Sequence, residues 1–257
     1  FLRIGISSIF LIMNLFKAIF LLIFFITPLK ANTIYNLIKI PNLEIYEINT
    51  KNKLKYFYAA SSFRLGVQKN IVCLNPSKED LENKYKIIYK NLNRYPYRYL
   101  KKINLKYIVL CENLSISGIN TAGIPDNVMK TLILDIKFNK NYFERVIHHE
   151  IFHIINDQYK QLFDEDEWIK FNNHEFKYAE CSTCTEKLGL ETYKKTNGFF
   201  TEYSKSTASE DMAEVYSHII FLNKKKIDKI RKLDPILNNK ISYIKNKINK
   251  IDNSFTF

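Results

Sequence analysis

Two histidines four residues apart constrain this chain more than any other feature. His149 and His153 lie in a stretch whose apolar residues Phe143, Val146, Ile147, Phe152, Ile154 and Ile155 recur at helical spacing. Positions four apart on a helix sit one turn above each other on the same face. The two imidazoles therefore project toward one point, the arrangement that a zinc ion requires. Glu150 lies beside them, where its carboxylate can take a proton from water at such an ion. The chain has five histidines, and His148, His149 and His153 cluster in this one helix.

Two histidines do not complete a catalytic zinc site, which takes a third protein ligand and keeps a position open. An extended pattern with glycine at 156 and histidine at 159 is excluded, because the chain has Asn156 and Tyr159 there. His174, His218 and Asp157 are donors without supporting context. The segment Ser209-Glu210-Asp211-Met212-Ala213-Glu214 offers more, since Glu210 and Glu214 share a helix face beside a small residue. One carboxylate can bind metal while the other accepts a hydrogen bond from a ligand histidine. Acids in a helix's first turn also simply favour its dipole, with Ser209 or Thr207 as the cap. Spacing alone leaves both glutamates open as the third ligand.

His-Glu-x-x-His on a helix is a metalloprotease signature. The stretch Asn197-Gly198-Phe199-Phe200-Thr201-Glu202-Tyr203-Ser204-Lys205, running into Glu210-Asp211-Met212-Ala213-Glu214, resembles the second motif of the glutamate-zincins. That group includes the catalytic domain of anthrax lethal factor and bacterial zinc-binding metallopeptidases. The resemblance covers roughly residues 78–251 and implies a thermolysin-like zincin domain acting on a peptide or protein. It implies Zn2+ held by His149, His153 and Glu210, with Glu150 as general base. Tyr203 is implied as donor to the oxyanion and Glu214 as the support of a ligand. Phe152 departs from the pattern, where a small residue often precedes the second histidine, and so does the Cys181-x-x-Cys184 insert.

The rest of the chain is consistent with one α+β domain. Helices are predicted over 78–92, 141–159, 209–222 and 235–251, and strands over 107–111 and 131–136. The glycine-bearing segment 116–126 reads as an extended edge, and Tyr95-Pro96 as the end of the first helical region. A small mixed or antiparallel sheet followed by the histidine helix and C-terminal helices is the expected fold. The apolar stripe Ile236, Leu237, Ile241, Ile244 and Ile248 reads as ordinary packing.

Residues 1–31 read as a secretory signal, with Met13 as the expected start. Lys17 precedes the apolar run Ala18–Ile26, which ends near Pro28 and Ala31. That run is shorter than the roughly 20 residues needed to span a bilayer. A single domain over 32–257, secreted or held at the periplasm or envelope without a membrane span, is the resulting expectation. Four cysteines, Cys73, Cys111, Cys181 and Cys184, then suggest a disulfide or two buried thiols rather than a structural zinc site or a redox pair at Cys181-x-x-Cys184. The formal charge of +13 comes with no nucleic-acid-binding signature. It suits a solvated lysine surface or contact with an anionic envelope polymer. Two alternatives stand beside a peptidase: a zinc amidase of the cell envelope, and a basic binding protein that keeps the zinc fold without turnover.

Overall fold

In the computed structural model, residues 40, 42–183 and 189–257 are described, and they belong to one compact unit. The expected signal over 1–31 lies outside them. Among the described residues no helix is long and apolar enough to cross a membrane.

Two antiparallel pairs come first: β1 (Leu43–Glu47) with β2 (Lys55–Ala59), then β3 (Phe63–Leu65) with β4 (Ile71–Leu74). Helix α1 (Lys78–Leu92) follows, with Ser77 accepting from the Asp80 amide as its cap. A short helix α2 (Tyr97–Lys102) starts directly after Pro96. The expected break at Tyr95-Pro96 is thus a joint between two helices, because proline is tolerated where a helix begins.

The central strand β5 (Tyr107–Ile116) then crosses the molecule. Its first half runs parallel to both β2 and β8 (Thr131–Asp135). Tyr107, Ile108, Val109, Leu110 and Cys111 are all buried, as a strand covered on both faces requires. Its second half leaves this layer, pairs antiparallel with β4, and turns at Gly118 (φ 83°) into β6 (Ile119–Asn120). Strand β7 (Gly123–Asp126) pairs antiparallel with β8 and with no other described strand, so it forms an edge. The sheet is mixed and larger than the sequence suggested, with eight strands among the described residues. A disulfide joins Cys73 on β4 to Cys111 on β5, and Cys181 is also disulfide-bonded.

After β8 the described regular elements are helices, with irregular backbone over the described residues between Ile169 and Tyr203. Helix α3 (Lys140–Gln158) carries the histidines, and α4 (Glu165–Ile169) is a single short turn beyond it. Helix α5 (Ala208–Phe221) carries both glutamates and is capped by Thr207, not Ser209. Helices α6 (Lys224–Leu233) and α7 (Pro235–Ile251) close the C-terminus. Helix α3 packs extensively on α5 and also contacts β7. Ala213 is fully buried there, and so small a side chain lets the two helix axes approach. The two predicted motifs are therefore brought face to face.

Candidate metal centre

His149 Nε2 lies 2.9 Å from Glu210 Oε2 and 3.1 Å from His153 Nε2, and the third edge, His153 Nε2 to Glu210 Oε2, is 3.2 Å. Three donor atoms of a tetrahedral zinc site stand about 3.3 Å apart when each bond is about 2.05 Å. The triangle is slightly tighter than that and already has the right shape. Two imidazoles and one carboxylate are a donor set that suits zinc, and the fourth direction faces a cleft of about 840 Å³. Among the described residues these three are the one group of His, Cys, Asp and Glu side chains placed to hold a metal.

The other nitrogen of His149, Nδ1, lies 2.9 Å from Glu214 Oε1. Glu214 is fully buried, and both its oxygens accept from Arg145 Nη1, while Thr201 Oγ1 donates to Oε2 at 2.8 Å. Burial works against the charge of Glu214, but the Arg145 guanidinium and His149 hold its carboxyl well below the usual range. Burial likewise opposes the charge on Glu210, and His153 and His149 hold that carboxyl low. For His149 burial disfavours the cation, yet the bonds to Glu210 and Glu214 outweigh it and hold the imidazole up to about 10. In the metal-free chain this imidazole carries a proton at neutral pH.

Glu150 is buried at the cleft wall, where burial pushes its carboxyl up against the lowering influence of His149 and His153. A Cβ at Gly123 would stand 2.7 Å from Glu150 Cγ, so the bare backbone of β7 is what leaves this side chain its place. Tyr203 lines the same cleft with its ring 5.8 Å from that of His149. Burial, then the charges of Glu210 and Glu150, push its phenol up, so at neutral pH it keeps a proton to donate.

The other donors are employed elsewhere. His174 is exposed beside Glu175, and Asp157 accepts from Asn127 Nδ2 at 2.7 Å. His218 stacks on Phe200 and is bonded to the Glu214 carbonyl oxygen and Thr192. His148 points away from the cleft, bonded to the Tyr95 hydroxyl and Asn91, and burial pushes it down to about 3. Phe152 is fully buried and packs on Phe163 and Tyr216, so the core absorbs its size. The sequence reading missed Arg145. Its signal was its position, one turn before His149 on the histidine face, where a permanent cation in a buried stripe needs a partner.

Among curated proteins none matches this chain. A similar solved structure is that of a "putative zinc-binding metallo-peptidase" from Bacteroides caccae ATCC 43185. It is 19% identical over 79% of this chain and 81% of that one, with a TM-score of 0.47. The family described as "Putative zinc-binding metallo-peptidase" matches residues 83–253, a stretch that contains both helices of the donor triangle. The chain belongs to that family of metallopeptidases.

Proposed function

We propose that this protein is an exported zinc endopeptidase of the glutamate-zincin type, with a thermolysin-like arrangement of site and edge strand. The observation that carries the reading is the triangle of His149 Nε2, His153 Nε2 and Glu210 Oε2, open on one side to the cleft. When bound there, zinc would supply a Lewis acid that lowers the pKa of water toward about 7 and polarises a carbonyl.

The chain's own residues do the rest. Glu150 takes the proton of the attacking water and later passes it to the leaving amine. Its raised carboxyl suits a group that must both accept and return a proton. Tyr203 donates to the oxygen on which charge develops, a contact whose loss costs about 10²–10³ in rate. Glu214 accepts from His149 Nδ1, which leaves Nε2 directed at the metal position. The unpaired edge of β7 offers backbone groups to which an extended peptide can add as a further strand.

Elemental analysis of the purified full chain, with peptide hydrolysis before and after chelation, tests the reading. One zinc per chain and chelator-sensitive cleavage are expected, and Glu150→Gln should keep the zinc and lose turnover. A folded chain without zinc, or a Glu150→Gln variant as active as wild type, would sink it. Cell-wall peptide fragments assayed beside a casein-type substrate separate a peptidase from an envelope amidase.

A further inference from the structure

Arg145 touches neither the cleft nor the donor triangle, yet it is bonded to what holds both catalytic walls. It is only 2% exposed, and an arginine so buried is bound to partners with defined geometry. Its Nη1 donates to both oxygens of Glu214, whose Oε1 in turn meets His149 Nδ1 at 2.9 Å. Its Nη2 donates to the Leu190 carbonyl oxygen at 2.6 Å. The adjoining Gly189 carbonyl accepts the backbone N–H of Tyr203 at 3.1 Å. One planar guanidinium thus links α3, α5 and the 189–190 backbone, on which the N–H of Tyr203 rests.

We infer that Arg145 is a positioning residue: through Glu214 it fixes the tautomer and tilt of His149, and through the 189–190 backbone it sets Tyr203. This rests on the zinc reading above. The chemistry requires such a residue. A Glu214 carboxylate free to rotate would give His149 Nδ1 no fixed acceptor, and the imidazole could turn its Nε2 away from Glu210 and His153. Nη1 donates to both of its oxygens while Nη2 is anchored on the Leu190 carbonyl, so the planar guanidinium stops that carboxylate rotating. Lysine, a point charge without the planar fork, supplies the charge and not the orientation.

The test is zinc affinity, measured by chelator competition on the full chain for wild type, Arg145→Lys, Glu214→Gln and the double variant Arg145→Met with Glu214→Gln. Chemical denaturation of each is recorded alongside. Arg145→Lys should weaken zinc by about 10–100-fold, as loss of a ligand's hydrogen-bonding support does. The double variant should match Glu214→Gln, because Arg145 acts on His149 only through that carboxylate. It also leaves no unpaired buried charge, so it stays informative if Arg145→Lys fails to fold. Wild-type zinc affinity in Arg145→Lys, with only a lower denaturation midpoint, would reduce Arg145 to a structural residue and overturn the inference. So would a double variant weaker than Glu214→Gln by the full effect again. A wild-type chain that binds no zinc would overturn this and the zinc reading together, whereas tight wild-type binding with an indifferent Arg145→Lys would overturn this alone.

Discussion

At the scale of the residue, the informative comparison is between two glutamates that spacing could not separate. Glu210 and Glu214 lie one turn apart on α5, but Glu210 Oε2 closes the donor triangle while Glu214 lies behind it on His149 Nδ1. Glu210→Ala is therefore expected to be nearly metal-free, and Glu214→Ala to bind zinc about 10–100-fold more weakly. Zinc titration of both variants checks this, and the reverse order would exchange their roles. His149 sets a pH dependence. Zinc must displace the proton that Glu210 and Glu214 hold on this imidazole up to about 10, so apparent affinity should rise about tenfold per pH unit through neutrality and level off near that value. Competition titrations from pH 6 to 9 (about one proton released per zinc) read it, and a flat profile would refute it. In the zinc-free chain the sign is the opposite. The contacts of His149 stabilise the fold fully below the ordinary 6.5 and are lost as pH rises through about 10.

At the scale of the element, what was legible followed periodicity. Helices α1 and α7 have the predicted bounds, and α3 and α5 differ by one residue at each end, because long apolar stripes fix a helix well. The strands β1 to β4 escaped for a physical reason. Each has only three to five residues, β1 and β3 lie at the ends of the strand order, and β1 follows a broken burial pattern with a register shift between Ile45 and Glu47. The outer half of β5 is polar and half exposed, so its alternation fades after Cys111. Helix α6 escaped because its cations outnumber its apolar positions. The glycine-bearing edge was visible in the sequence, but not its reason: β7 crosses α3 so closely that Gly123 faces Glu150 directly. Gly123→Ala should displace the Glu150 carboxylate and cost about 10²-fold in kcat/KM, the scale of a misplaced catalytic group. Zinc content should be unchanged. Steady-state kinetics beside metal analysis checks this, and full activity would mean that Glu150 has room to spare.

At the scale of the whole molecule, the C-terminal helix does more than supply the apolar stripe that its sequence shows. Leu237, Ile241, Ile244 and Ile248 are buried as that stripe predicts and Ile236 is half-buried, but Lys240 is buried too. Periodicity assigns a lysine to solvent by default, and only the fold shows what it meets. Lys240 Nζ reaches Asp211 Oδ2 at 2.6 Å and the Gly198 carbonyl oxygen at 2.9 Å, over the ring of Phe199 at 4.0 Å. The same Asp211 oxygen accepts from Tyr178 and Trp168. Asp211 is the neighbour of Glu210 in sequence, so the last helix is fastened to the element that presents a donor of the triangle. The fastening is a fully buried ion pair, which makes it asymmetric: removing one partner strands a charge, while removing both can be nearly neutral. Lys240→Met should lower stability by about 3–5 kcal/mol, and Lys240→Met with Asp211→Asn should recover most of that loss. Denaturant unfolding of the zinc-free chains measures both, with unchanged slopes needed for the comparison. If the single variant were as stable as wild type, the pair would hold no unbalanced charge and α7 would rest on its apolar stripe alone.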